Sequence, residues 1–347
     1  NGEAGEKKVY CNTINGTCSS LPNLPPLCAY VNSMSVECGM TSDWPCKNTN
    51  YTNNLTDSFK ILKHNNILQN LTYKCSNNNQ DDMQWQNAFF NENGLGSLNQ
   101  LVSLAVDVTY DPNISTGVAM KGILEQNVNL RNLSLNIGLT GMNDNDAIEM
   151  SNNLAKYGKN LKNISLYMRL EDLDDQGNLT EVGTRAIANA LGQLKHLEAM
   201  HVSFDESVDI LASGINAFVD GLGTSTRILP NIRDMRFDFA NAFVVGSTTA
   251  TDNDVFDHVG KMLKVYSKQL EVLSLNLDGN NVNSTGVENL ANSLGCFNGK
   301  SDFNVVSFSD GTNGLSSCGL LYNEKKKCFQ ANQNFPDLEK KGCLPCD

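Results

Sequence analysis

Residues 270–295 read LEVLSLNLDGNNVNSTGVENLANSLG, and the stretch changes period halfway. Leu270, Leu273, Leu275 and Leu277 stand at strand spacing, with Val272, Ser274 and Asn276 on the other face. After an Asn- and Gly-rich turn, Val287, Leu290, Ala291 and Leu294 recur at helical spacing, and Ser284 and Thr285 offer an N-cap hydroxyl. One strand, one turn and one helix cannot bury both apolar faces alone. Such a unit needs copies on either side.

Copies align on one pattern, apolar at positions 1, 4, 6 and 8 and variable at 3, 5 and 7. They start at Leu68, Leu101, Leu130, Leu161, Leu197, Ile232, Leu270 and Phe303, so successive starts lie 29 to 38 residues apart by subtraction. That period leaves room for a full helix in every repeat. Helices are expected over 85–90, 117–125, 146–157, 181–194, 208–222, 254–266 and 285–294. The segments LRNLSLNIG, LEVLSLNLDGNN and TGVENLANSLG resemble the ribonuclease-inhibitor type of leucine-rich repeat, including its Asn-rich turn after the strand. The resemblance implies an α/β solenoid, a horseshoe of about eight β-α repeats with a parallel sheet on its concave face. It does not specify a function, because such horseshoes host many binding roles.

Cysteines mark the ends. Cys11, Cys18, Cys28, Cys38, Cys46 and Cys75 lie early and Cys296, Cys318, Cys328, Cys343 and Cys346 late, with none between. A secreted solenoid uses disulfides to close its terminal repeats, so the organisation expected is a cap over 1–67, a solenoid over 68–308, and a cap with a tail over 309–347. Bridges should stay within each cluster, and 11 cysteines leave at least one thiol unpaired, expected among the late five. Cys343 and Cys346 as half of a metal site is the weaker reading, since no second pair or neighbouring His accompanies them.

Acceptor sequons begin at Asn15, Asn50, Asn54, Asn70, Asn113, Asn132, Asn163, Asn178 and Asn283. The chain starts at Asn1 without Met and holds no apolar run of about 18 residues. A processed, glycosylated extracellular chain with no transmembrane segment is therefore expected. The net charge of −12 argues against nucleic acid, which needs a concentrated basic stripe. The runs at Lys325, Lys326 and Lys327 and at Lys340 and Lys341 read as solvated surface.

No nucleophile elbow, phosphate loop, zinc-protease helix or dinucleotide fingerprint occurs. The acidic loop from Asp172 to Gly177 resembles the opening of an EF-hand, but Gly183 stands where the bidentate Glu should be. A solvated loop followed by a cap at Thr180, and likewise at Asp254, is the reading preferred. Met200, Met235, Phe204, Phe237 and Phe239 fall on the apolar register and read as core. The expectation is a non-enzyme without metal or cofactor.

In a leucine-rich horseshoe, positions 3, 5 and 7 form the concave surface that usually meets the ligand. Asn70, Asn132 and Asn163 share position 3 with Ser or Thr at position 5, which would stack any glycans on one side of the first half. The sequon-poor half holds His201, Asp234, Arg236 and Asp238, the candidate binding surface. For a lone strand histidine, a solvated polar residue is the bland reading. The partner expected is a protein or saccharide. The alternative is association with copies of itself, as an oligomer, or as a coat or filament built through the caps.

Overall fold

Alternation of apolar residues at positions 4 and 6 with polar ones at 3, 5 and 7 should give half-buried strands, and the computed structural model has them. It describes residues 13–16, 33–38, 68–75, 97–107, 116–136, 142–168, 179–205, 210–223, 228–242, 251–266, 269–277, 280, 302–308, 318–323 and 328–331. Twelve strands form one open sheet in chain order: β1 (Thr13–Gly16), β2 (Ser33–Cys38), β3 (Asn70–Cys75), β4 (Ser103–Asp107), β5 (Asn132–Asn136), β6 (Asn163–Tyr167), β7 (Ala199–Ser203), β8 (Asp234–Asp238), β9 (Val272–Asn276), β10 (Asp302–Phe308), β11 (Cys318–Asn323) and β12 (Cys328–Ala331). From β1 to β10 every neighbour is parallel. The last two pairings are antiparallel.

Between β4 and β9 strands alternate with helices: α1 (Thr116–Gln126), α2 (Asp144–Tyr157), α3 (Glu181–Leu191), α4 (Leu211–Gly223) and α5 (Thr251–Tyr266). Parallel neighbours require such crossovers. The arrangement is an open α/β sheet, compatible with a repeat solenoid. Positions 4 and 6 of β3 to β9 join buried helix residues in one core, while positions 3, 5 and 7 of the same strands stay largely unburied on the opposite face. Among the described residues, no helix covers that second face.

Met200, Met235, Phe204, Phe237 and Phe239 are all buried. Phe218 on α4 stands edge-on to Phe204, Phe237 and Phe239, at centroid distances of 5.3, 6.2 and 6.3 Å. Asn280, in the Asn-rich turn after β9, is also buried and donates from Nδ2 to the carbonyls of Phe239 and Leu277. This bond is why the turn wants an amide: it satisfies a backbone acceptor of the neighbouring turn that water cannot reach.

Several boundaries differ from expectation. Helix α2 begins at Asp144 because the Asn143 side chain accepts from the amides of Asn145 and Asp146 and stops the helix there. Thr180 caps α3, accepting from Val182 N. Asp254 is no cap, since α5 starts three residues earlier at Thr251. In β10 the register slips: Asp302, not Val305, pairs with Val272, and an extra residue between Phe303 and Val306 puts Ser307 opposite Asn276. β1 and β2 run the parallel sheet into the segment expected as a cap. Helices expected over 85–90 and 285–294, and the acidic loop at 172–177, lie outside the described residues.

Successive helices are tied by one carboxylate. Asp144 Oδ1 accepts from the amides of Thr180 (2.8 Å) and Gly183 (2.9 Å), and Oδ2 accepts from Thr180 Oγ1 (2.6 Å). The acid of α2 thereby satisfies the first turn of α3 and faces its positive dipole end. Gly183 is needed for this approach, because a Cβ there would come within 2.6 Å of Asp144 Oδ1. Asp144→Ala is expected to cost about 2 kcal/mol, the loss for donors stripped of a charged acceptor, with Asp144→Asn costing less. Urea unfolding of the three chains checks this.

Candidate functional site

The helix-free face is a grid whose rows are set by register. Ser165, His201, Arg236 and Ser274 are cross-strand partners in one row. Tyr167, Ser203, Asp238 and Asn276 form the next, and Asn163, Ala199, Asp234 and Val272 the one before. Long side chains are concentrated on β6, β7 and β8. Their neighbours are short, so they are free to lean on one another.

Two contacts define the site. The Tyr167 hydroxyl lies 2.9 Å from His201 Nδ1, and the rings meet edge-to-face with centroids 4.8 Å apart. On β8, Arg236 forks onto its own strand neighbour, with Nε donating to Asp234 Oδ1 (3.0 Å) and Nη2 to Asp234 Oδ2 (2.9 Å). A bidentate fork fixes the guanidinium plane and leaves Nη1 uncommitted among the described residues.

The electrostatics follow from these contacts. Burial holds the His201 pKa below the ordinary histidine value, the Arg236 charge pushes the same way, and Asp234 opposes both. The hydrogen bond to Asp234 raises Arg236, securing its charge. The Tyr167 hydroxyl and His201 Nδ1 share one hydrogen bond, and the imidazole tautomer decides which of them donates. The row thus pairs an imidazole whose charged form is disfavoured with a fixed guanidinium. Such a pair can hold a ligand by hydrogen bonds; it has no nucleophile aligned on a base.

Of the four residues singled out from sequence, His201, Asp234 and Arg236 come together. Asp238 shares the face, but its Oδ1 accepts from Ala240 N at the end of its own strand. Tyr167 completes the site and was not among the four. Its signal is an aromatic at position 7 one strand before a position-5 histidine, visible only once the strands are aligned. Among the described residues no cluster of three or more His, Cys, Asp or Glu gathers to hold a metal, and no helix is long and apolar enough to cross a membrane.

Asn70, Asn132 and Asn163 lie in a single column through Ser103, and Asn163 Nδ2 donates to Asn132 Oδ1 at 2.5 Å. Asn15 is in β1, while Asn50, Asn54, Asn113, Asn178 and Asn283 lie outside the described residues. Cys38, Cys75, Cys318 and Cys328 belong to strands; Cys11, Cys18, Cys28, Cys46, Cys296, Cys343 and Cys346 lie outside the described residues. No protein-family model matches the chain, and no curated protein matches its sequence.

Proposed function

We propose that the chain is an extracellular, N-glycosylated leucine-rich-repeat protein that recognises a protein or saccharide on the concave side of its sheet and carries out no chemistry. The observation that supports this reading is the grid face, where Tyr167 holds His201 and Asp234 holds Arg236 on neighbouring strands amid short neighbours. Side chains fixed before a ligand arrives lose little entropy on binding, which is what a recognition surface requires. The repeat pattern and the sequons support the family and the compartment.

The test is ligand retention. Immobilised chain, exposed to the fluid or cell surface it comes from, is expected to hold a specific component saturably, and Arg236→Ala should weaken that binding by about tenfold or more, the loss typical of an anchoring arginine. Retention equal in wild type and in Arg236→Ala and His201→Ala chains would overturn the site. A chain that retains nothing yet elutes as reductant-sensitive oligomers would instead be a structural subunit of a coat or filament. The open sheet, with β1 and β12 at its two ends, favours that second reading.

A further inference from the structure

The residue just before each concave column, position 2, forms a row of its own along the corner where helices turn into strands. Backbone bonds carry this row from repeat to repeat, with Val102 N donating to Gln69 O and Arg131 N to Val102 O. In the later repeats the corner is closed by long side chains. Lys162 Nζ reaches Glu198 Oε1 at 2.6 Å, and Arg233 Nη1 reaches Glu271 Oε1 at 2.5 Å. The turns behind them are stitched as well, Asn231 Nδ2 donating to Lys195 O and Gln269 Nε2 to Leu229 O. Before β3, β4 and β5 the row breaks. Val102 is too short to bridge its neighbours, and a cleft of about 540 Å³ opens there, lined by Gln69, Asn99, Gln100, Val102, Asn129 and Arg131.

We propose that this cleft is a saccharide-binding site. Its described lining is four primary amides, one guanidinium and one valine, with no carboxylate, in a chain of net charge −12. Each amide offers donors and an acceptor in one plane, the complement of sugar hydroxyls that both donate and accept. The amides of Gln69, Asn99 and Asn129 make no hydrogen bond among the described residues. Arg131 spends Nη1 on the carbonyl of Asn160 at 2.9 Å and keeps its other donors.

Other ligand classes fit worse. A single cation is too few for a phosphate-rich ligand. Four primary amides and a guanidinium stand on the wall, and a wholly apolar ligand would leave them unpaired. An extended peptide would need a strand edge to pair with, and β3, β4 and β5 are paired on both sides. The volume falls within the span of small-molecule sites, roughly 300–1,000 Å³, which suits a short oligosaccharide.

The sugar can come from two sources. It can be free, or it can be this chain's own glycan at Asn70 or Asn132, each next to a lining residue. The test uses the full chain in wild-type form and as Asn70→Gln/Asn132→Gln, titrated by calorimetry with chitotriose, maltotriose and trigalacturonate. Saturable binding of at least one is expected at a dissociation constant of about 0.1–10 mM. Binding by both chains identifies a free ligand. Binding only after the Asn→Gln changes identifies the chain's own glycan as the occupant.

Val102→Arg places in the notch the residue that already stands at this position in the Arg131 and Arg233 repeats, so it should fold normally. It is expected to weaken binding at least tenfold, while Val182→Ser, at an exposed position on α3, leaves it unchanged. Failure of all three sugars to bind the Asn→Gln chain, or binding indifferent to Val102→Arg and to Asn129→Ala, would overturn the proposal. Sugar held by the concave face instead would be indifferent to Val102→Arg and lost in Arg236→Ala, which separates the two sites.

Discussion

Phe218→Ala is expected to destabilise the folded chain by about 3–5 kcal/mol, the cost of emptying a large aromatic site that cannot collapse. Phe218 is 0 % exposed and sits where α4 packs on β7 and β8, edge-on to three other phenylalanines. Two of those, Phe237 and Phe239, stack on each other at 5.7 Å, and Phe204 stacks on Phe239 at 6.1 Å. Removing the ring leaves a void bounded by two strands and a helix, and the strands cannot close it without breaking the sheet ladder. Phe218→Leu keeps most of the volume and should cost far less. Urea unfolding followed by circular dichroism reads both. If the units interact mainly with their neighbours, hydrogen exchange should rise first around α4, β7 and β8 and spread weakly beyond. Equal loss from Phe218→Ala and Phe218→Leu would contradict the packing described.

The second expected result is a disulfide between Cys38 and Cys75. Backbone register sets Cys38 of β2 directly opposite Cys75 of β3. Adjacent strands run about 4.8 Å apart, inside the span of roughly 4.4–6.8 Å that bridged Cα atoms occupy. The loop closed runs from 38 to 75, which is 37 residues by subtraction. Cross-linking it should stabilise the chain by about 4 kcal/mol in the chain-entropy account. Non-reducing peptide mapping is expected to recover the two cysteines in one linked pair, and Cys75→Ala to lose most of that stability. Free alkylation of Cys38 in native material would contradict both the bridge and the oxidising compartment proposed.

The strands from β3 to β9 were legible because one signal repeats: position 4 and position 6 are apolar, and a slip by one residue would turn the whole set to water. β10 was not legible for the same reason reversed. Its run Phe303, Asn304, Val305, Val306 places apolar residues at both odd and even steps, so alternation alone does not choose the pairing, and the extra residue before Val306 leaves no mark in the spacing. β2 could have been found, since Met34, Val36 and Cys38 alternate, but the surrounding prolines and cysteines masked the period. The start of α2 was missed because Asn143 is one asparagine among many, and only its bonds to two amides distinguish it as a cap.

The site was half legible. Polar residues at positions 3 and 5 pointed to His201, Asp234 and Arg236, because the outward face of a strand can be read off once the period is known. Tyr167 and the fork of Arg236 onto Asp234 depend on side-chain reach across or along strands, which spacing does not encode. The corner cleft was illegible altogether. It exists because Val102 is short where later repeats place long charged residues, and that contrast appears only when the row is assembled.

The central claim is that His201 and Arg236 form a site set in place before any ligand arrives, and the titration of His201 tests it without knowing the ligand. Because the folded chain binds this proton less readily than the unfolded one, the site's contribution to stability is full above about pH 6.5 and declines as pH falls toward the folded midpoint. Proton NMR of the imidazole, identified by its absence in His201→Gln, is expected to give a midpoint below the ordinary value. In Arg236→Gln that midpoint should move upward as the neighbouring charge is lost, while part of the depression due to burial persists. A midpoint at or above the ordinary value, indifferent to Arg236→Gln, would contradict the account.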